Sequence, residues 1–354
     1  MRKILMRAWV AVALSALALL SGTQWASAAA APAYGIAAKH PVIGASCATC
    51  PWGAIAEILR VAMRPEYELQ ICYNCSQTES TRIVSAARVP PALTSAQIAR
   101  KLLPPPQAPV DFGITNAVRL SWAYHGLYDY KHVPQKNLRL IALIENPTFI
   151  VVAVKPATGI TDLKQIAERH MKVKIIIDGN AGTSVAPVLD YYGLTEQAVK
   201  SWGGSIVGAE QENRSDFAVI VSTQGSLANN PEANLWYDVS QKFDLRYLDL
   251  PEDLLAKLAA MDLGFERAIV PEGLVRGLDR PIPTVARPGH AIYARDNTPE
   301  AFVYAVTKAM DQRRDLLKYA LIPFTYDSRR VWQFSNIPLH PGAARYYREV
   351  GYMR

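Results

Sequence analysis

Short apolar runs alternate with amphipathic stretches along most of this chain. Residues 40–44 and 68–72 have the pattern of short strands, and residues 53–63 between them carry apolar side chains at helical spacing. A buried-type strand follows at 110–115, and residues 172–222 repeat the order strand, helix, strand. Strands that alternate with helices in this way predict an α/β fold built on a mostly parallel sheet.

Two long extended segments interrupt this alternation. Residues 138–156 predict two strand segments with a joint at 145–147, and residues 283–295 predict a second extended crossing. Two sets of strands joined by such crossings indicate two lobes, with hinges near 145–148 and 286–291. The predicted lobes comprise residues 34–146 with 292–354 (lobe 1) and residues 147–291 (lobe 2).

The first 28 residues have the pattern of a secretory signal peptide. Residues 1–7 carry three basic residues and no acid, residues 8–20 are mainly apolar, and Ala26-Ser27-Ala28 offers a small-x-small cleavage site. No later segment approaches the roughly 20 consecutive apolar residues of a membrane span. We therefore expect export to the periplasm, where thiols that can pair usually do.

Charge and motifs exclude several function classes. The chain has 38 Lys and Arg against 31 Asp and Glu, and subtracting the three basic residues of the signal segment leaves 35 against 31, a net charge of +4. The basic residues lie in short pairs among acids, so no nucleic-acid partner is predicted. Neither HExxH nor GxSxG occurs, so we predict no enzyme, and no cofactor.

Polar residues follow several predicted strands. In open α/β sheets ligands lie beyond the carboxyl ends of the strands, so the loops at 46–50, 76–80, 115–116 and 178–184 should converge on one cleft. Their hydroxyls, amides and free helix-start N–H groups suit an anionic solute. The predicted ligand-binding residues are Ser46, Thr49, Ser76, Thr78, Ser80, Asn116, Arg119, Gly182, Thr183, Ser184 and Gln224.

Two further side chains near this cleft have alternative interpretations. Arg82, like Arg119, lies in the first turns of a helix that begins at the cleft and could reach a carboxylate, although a solvated arginine is the commoner case. Trp52 either forms a wall of the cleft or belongs to the core.

Four cysteines form two CxxC units, at Cys47 with Cys50 and at Cys72 with Cys75. Disulfides between the two loops fit an oxidising periplasm, with two pairings open. A four-thiolate zinc site is a second interpretation, because the spacing resembles that of zinc-binding proteins. Thiol–disulfide exchange is a third, because a helix start lowers the pKa of a cysteine thiol.

The C-terminal stretch IPLHPGAARYYREVGY, residues 337–352, resembles the ending of TAXI-type solute receptors of TRAP transporters. AGTSVAPVLDYYGLT and PTVARPGHAIYARDNTPEAFVYAVTKAM are also similar to segments of that family, and the resemblance covers roughly residues 38–354. It implies a two-lobed, type II-like periplasmic-binding-protein fold that closes over a small solute, often a carboxylate or amino acid. The cysteines in the first loop and the proline-rich insertion at 88–109 depart from the family.

The resemblance and the residues together predict a monomeric periplasmic receptor that delivers a small solute to a TRAP-type membrane permease. A rival prediction is a periplasmic thiol or metal-binding protein that uses Cys47, Cys50, Cys72 and Cys75 on the same fold. A third is a receptor fold that serves as a signalling input or as an accessory to another exported protein.

Overall fold

The strands were located in a computed structural model, which describes residues 34–45, 51–73, 75, 79–177, 184–208, 216–225, 231–260 and 262–354. The predicted signal peptide lies outside these residues. The strands are β1 (Val42–Gly44), β2 (Gln70–Cys72), β3 (Phe112–Asn116), β4 (Leu138–Val154), β5 (Lys174–Ile177), β6 (Ser205–Gly208), β7 (Val219–Gly225), β8 (Arg246–Leu248), β9 (Glu266–Val270) and β10 (Ile282–Arg295).

Helices connect most of these strands. They are α1 (Pro51–Ala62), α2 (Ser80–Ser85), α3 (Ser95–Ala99), α4 (Ala117–His125), α5 (Lys164–Glu168), α6 (Ala186–Tyr191), α7 (Glu196–Ser201), α8 (Pro231–Lys242), α9 (Glu252–Leu258), α10 (Glu300–Gln312), α11 (Leu317–Ala320) and α12 (Pro341–Glu349), with 3₁₀ turns at Tyr128–Tyr130, Pro156–Thr158 and Arg314–Leu316. None of the helices in the described ranges has the length and apolar character needed to cross a membrane.

The described strands form a single mixed sheet. Its order is β2-β1-β3-β10-β4-β7-β5-β6, while β8 pairs with β4 and β9 pairs with β10. Strands β2, β1 and β3 are mutually parallel, and so are β7, β5 and β6. The two parallel groups are joined through β10 and β4, which run antiparallel to each other and to their neighbours. The predicted α/β class, with two parallel strand sets connected by two crossings, is confirmed.

The first crossing is one strand rather than two. Strand β4 runs through Pro147, where we predicted a joint, because β10 makes a register shift at the same place. Glu145 pairs with Gly289 and Thr148 pairs with Arg287, so the residues between fall in an irregular part of the ladder. Proline has no N–H to donate, and an irregularity of this kind is where a strand tolerates it.

Gly289 is required at this irregularity by close packing of the two backbones. A Cβ atom on Gly289 would lie 2.1 Å from the carbonyl oxygen of Ile144 and 2.6 Å from the amide nitrogen of Asn146. Only glycine lets the two crossings approach so closely. The predicted hinges at 145–148 and 286–291 therefore contact each other directly.

The buried side chains divide differently on the two faces of the sheet. One face carries a cluster whose residues run from Val42 to Ile337 and span both strand groups. The opposite face carries two separate clusters, one drawn from residues 43–144 and 292–347 and the other from 151–282. Alternate residues of β4 contribute to both faces, as the period of two requires. This division follows the predicted lobes, whose exact bounds stay a prediction.

The proline-rich segment 88–109 contains one short helix, α3, as the sequence predicted. Thr94 caps it, since its hydroxyl accepts a hydrogen bond from the amide of Gln97 at 3.3 Å and the Gln97 side chain accepts one from the amide of Thr94 at 2.9 Å. This reciprocal capping box stabilises a helix too short to be stable alone.

Candidate functional site

The ends of β2 and β3 bring polar residues together, as predicted for their loops. Asn116 ends β3 and caps α4, accepting a hydrogen bond from the amide of Val118 at 3.0 Å. The hydroxyl of Ser80, the first residue of α2, lies 3.4 Å from the hydroxyl of Thr115, and both side chains are buried. We call Ser80, Thr115, Asn116 and Arg119 the strand-end cluster.

Arg119 is the buried cation of the strand-end cluster. It lies in the first turn of α4 with 5% of its surface exposed. Burial raises the pKa of Tyr293 on β10, and the nearby charge of Arg119 partly offsets this. Arg119 therefore lies close to the crossing strand β10.

Arg82, the alternative cation, is engaged elsewhere. Its guanidinium forms an ion pair with Glu79 at 2.9 Å and donates to the carbonyl of Asp129 at 2.6 Å. It also lies over the ring of Tyr130. These contacts fix Arg82 along the outside of α2, so it is not a candidate for the site.

Arg287 connects the crossing strand β10 with the second parallel group. Its Nη1 donates to the hydroxyl of Ser184 at 3.3 Å, and both side chains are buried, with 8% of Arg287 exposed. Arg287 pairs in register with Thr148 on β4. Ser184, just before α6, is therefore joined to the point where the two crossings meet.

His290 follows Arg287 by three residues on β10 and is fixed by Trp52. The indole Nε1–H of Trp52 donates to Nδ1 of His290 at 2.8 Å, and the two rings meet edge to face. Burial, followed by the charge of Arg287, lowers the pKa of His290 to about 3. The imidazole is therefore neutral at physiological pH, and its proton lies on Nε2 because Nδ1 accepts.

This tautomer determines the orientation of the Asn146 carboxamide. The structure places Nδ2 of Asn146 3.3 Å from Nε2 of His290 and leaves Oδ1 buried without a partner in the described part of the chain. Two donors do not bond to each other, and the oxygen and nitrogen of a carboxamide have nearly the same shape. We therefore assign Oδ1 to the position facing Nε2–H. The amide NH₂ then becomes a buried donor.

Trp52, Asn146, Ser184, Arg287 and His290 form what we call the crossing cluster. It touches the strand-end cluster directly, because Asn116 and His290 are paired neighbours in the sheet. The two clusters together hold two buried guanidinium groups, a neutral imidazole, amides and hydroxyls, and neither contains a carboxylate. Glu145, the adjacent acid on β4, pairs with Arg330 at 3.1 Å. This arrangement favours a ligand that accepts hydrogen bonds and carries negative charge.

A profile of the NMT1-like family matches residues 95–351, which is most of the chain. The chain belongs to the NMT1-like family. It is also similar to solved solute-binding proteins. A TctC solute-binding protein from Polaromonas is 12% identical, with 79% of this chain and 86% of that chain covered and a TM-score of 0.39.

Two further solved structures give comparable alignments. The glycine betaine and L-proline-binding protein of Borrelia burgdorferi is 12% identical, with 87% and 99% of the two chains covered and a TM-score of 0.38. Iron-bound HitA of Pseudomonas aeruginosa is 12% identical, with 88% and 99% covered and a TM-score of 0.37. These alignments transfer no residue's role to this NMT1-like chain, whose site is described by its own geometry.

Only some of the predicted binding residues lie in the described part of the chain. Ser80, Asn116, Arg119 and Ser184 lie in the two clusters, and Gln224 lies on β7 opposite Phe149, with only its backbone described. The remaining predicted residues are outside the described ranges: Ser46, Thr49, Ser76, Thr78, Gly182 and Thr183.

The cysteines of the second CxxC unit pair with each other, and the predicted pairing between the two loops is wrong for them. Cys72 and Cys75 form a disulfide with a Cα–Cα distance of 5.6 Å, and both are fully buried. The chain turns directly after β2, which brings positions three apart within the usual reach of a disulfide. Cys47 and Cys50 lie outside the described residues.

This disulfide disfavours the rival thiol and metal interpretations. Its two sulfur atoms are not thiolates and cannot serve a four-thiolate zinc site, and their burial keeps an exchange partner away. Among the described residues, no group of three or more His, Cys, Asp or Glu side chains could hold a metal ion.

Sequence reasoning missed Asn146, Arg287 and His290 as site residues. All three lie in the predicted hinges, at 145–148 and 286–291, which we considered only as joints between lobes. The signal was the stretch RPGH at 287–290, where an arginine and a histidine flank Pro-Gly within an otherwise apolar strand. A buried strand carries such side chains only where they have partners.

Proposed function

We propose that this chain is a periplasmic solute-binding receptor that captures a small, carboxylate-bearing solute, an amino acid or organic acid, between its two lobes. The observation that carries this proposal is the buried guanidinium of Arg287, which bonds Ser184 of the second strand group at the meeting point of the two crossings. A charged donor at the point where the two crossings meet can bind an anion there.

The site suits binding without turnover. His290 lies near Arg287, and burial, followed by the charge of Arg287, lowers its pKa to about 3, so the imidazole is uncharged and a weak base at neutral pH. Both imidazole nitrogens are already engaged by Trp52 and Asn146. The imidazole therefore acts as a rigid spacer that positions Asn146 rather than as a general acid or base.

Delivery to a TRAP-type permease is the finer part of the proposal. It is supported by the resemblance of residues 337–352 to the ending of TAXI-type receptors. In the structure that segment is architectural, since the buried His340 caps α12 by accepting a hydrogen bond from the amide of Gly342 at 3.2 Å. Loss of solute uptake in cells that lack this chain would support transport, and unchanged uptake with altered gene expression would support a signalling receptor.

Titration calorimetry with a panel of amino acids and organic acids tests the binding role. The variant Arg287→Gln should weaken binding of the preferred solute by about 10- to 150-fold, which corresponds to about 1.5 to 3 kcal/mol for a hydrogen bond to a charged group. Arg119→Gln should weaken it in the same direction if the strand-end cluster also contacts the solute.

Arg280→Gln is the matched control, because Arg280 pairs with Asp249 at 2.9 Å on the exposed surface of the same lobe. Its affinity should equal that of the unchanged protein. Equal affinity in Arg287→Gln and Arg280→Gln would contradict the assignment of Arg287 to the site.

A further inference from the structure

A cavity lies beside the hinge, and none of its lining residues belongs to the two polar clusters. Its volume is about 510 Å³, within the usual range for small-molecule sites of roughly 300 to 1,000 Å³. One wall is formed by residues 259 and 264–266, which lead into β9, and the other by residues 330, 332–337 and 339, with Met353 at one side. The second wall is anchored to the first crossing, since the amide of Leu143 donates to the carbonyl of Val331 at 2.7 Å.

The walls of this hinge cavity are aromatic and aliphatic. Phe265, Ile337 and Phe334 are buried beneath its surface, and Trp332 is half-buried. Three aromatic residues among the lining favour a ligand with an apolar body, and aromatic rings also attract organic cations.

The charged end of the hinge cavity has an excess of negative charge. Glu266 and Arg330 are the two charged side chains that line it. The guanidinium of Arg330 is shared, because it bonds Glu266 and also pairs with Glu145 at 3.1 Å. Two carboxylates around one guanidinium leave a net charge of −1, which repels anions and attracts cations.

The backbone of one wall is held in an unusual conformation. Ser335 and Asn336 both have left-handed φ values, of 49° and 54°, which non-glycine residues rarely adopt. Ser335 is fixed there by contacts to α4, through its hydroxyl to Ser121 at 2.5 Å and its carbonyl to His125 Nε2 at 2.9 Å. Strained backbone of this kind persists only where the surroundings impose it, and it is enriched at ligand sites.

We propose that the hinge cavity is a second binding site, for a small organic cation with an aromatic or aliphatic body. The ammonium group would lie beside Glu266, and the apolar body would pack against Phe265, Phe334 and Trp332. This site is distinct from the proposed solute site in both place and charge preference.

A matched series of probes tests the charge preference: 2-phenylethylamine, 2-phenylethanol and 3-phenylpropionate. By calorimetry the ammonium should bind at least about tenfold tighter than the alcohol, and the carboxylate should bind weakest. Glu266→Gln should remove most of the preference for the ammonium over the alcohol. Equal affinity for the three probes, or no binding of the ammonium, would overturn the proposal.

A second set of variants tests the location. Ala259→Trp fills the cavity and should abolish binding of 2-phenylethylamine, whereas Ala260→Trp, at an exposed neighbour that does not line it, should leave binding unchanged. Arg287→Gln distinguishes the two sites, because it changes the proposed solute site and should not alter binding of 2-phenylethylamine. Unchanged binding in Ala259→Trp would overturn the assignment.

A direct readout covers the case in which Ala259→Trp does not fold. The indole N–H signal of Trp332, assigned by its loss in Trp332→Phe, should shift saturably in NMR spectra as 2-phenylethylamine is added to the unchanged protein. An unshifted Trp332 signal at saturating probe would overturn the proposal independently of any filling variant.

Discussion

At the scale of single residues, the site depends on hydrogen bonds whose direction follows from one proton. Trp52 can only donate, so Nδ1 of His290 accepts, Nε2 carries the proton, and Asn146 must present its oxygen. The chain of three side chains joins α1 to both crossings. A substitution at any of these three residues should therefore disturb the contacts at the hinge.

The pH dependence of stability tests this chain. The pKa of His290 is lowered to about 3, by burial first and by Arg287 second, whereas an unfolded histidine has a pKa of about 6.5. Between these values the unfolded chain binds the extra proton, so His290 makes the folded state lose stability as the pH falls from about 6.5 towards 3. The largest slope from one such group is about 1.4 kcal/mol per pH unit.

We expect His290→Gln to reduce the slope by about 1 kcal/mol per pH unit between pH 6 and pH 4. Urea denaturation of both proteins at several pH values measures the slopes directly, and other titrating groups cancel in the comparison. Parallel slopes for the two proteins would show that His290 is not held neutral in the folded state.

The disulfide makes a second prediction at this scale. Trypsin under non-reducing conditions should release residues 40–60 and residues 61–82 as separate peptides, because Cys72 and Cys75 pair within the second peptide. A species that contains both peptides and separates on reduction would instead show a bridge between the loops. Peptide mass spectrometry distinguishes the two results without any variant.

At the scale of elements, β10 is the strand whose sequence is most constrained by its neighbours. Glycine favours strands less than bulkier residues do. It is nevertheless required at position 289, because the backbone of β4 occupies the space of a Cβ atom. The same irregularity accommodates Pro147 on β4. Sequence periodicity recognised both crossings as extended but placed a break where the structure has a register shift.

We expect Gly289→Ala to lower the free energy of unfolding by roughly 2 to 4 kcal/mol, because the backbone of β4 must move to admit the methyl group. Gly159→Ala is the control, since its φ of 69° is left-handed but nothing lies within 4 Å of the added Cβ. Its cost should be about 1 kcal/mol, from backbone conformation alone. Chemical denaturation that finds equal losses in the two variants would contradict the close approach of the crossings.

Predicting the elements requires only local sequence, whereas predicting the site requires knowledge of which distant segments pair. Strands β1, β3 and β5 follow from local apolar runs, and Asn116 could be placed at a helix start from its own sequence context. The proximity of Arg287 and Asn146 could not be predicted from local sequence, since it depends on the register between segments about 140 residues apart. Local pattern contains no information on that register.

At the scale of the whole molecule, two parallel strand groups share one sheet, and their connection runs through two antiparallel crossings. The core on one face is continuous, while on the other it is divided between residues 43–144 with 292–347 and residues 151–282. A divided face allows relative movement of the two halves, and the crossings are the shortest path between them. A solute that contacts both Arg287 and the strand-end cluster of the first strand group would stabilise a closed arrangement.

The most direct test of the central claim is native mass spectrometry of the protein isolated from periplasm without added ligand, compared with Arg287→Gln prepared in the same way. We predict one small carboxylate-bearing molecule per chain in the unchanged protein and its loss, or clear depletion, in the variant. A carboxylate retained equally by both proteins, or an adduct that carries no acidic group, would contradict a solute site built around Arg287.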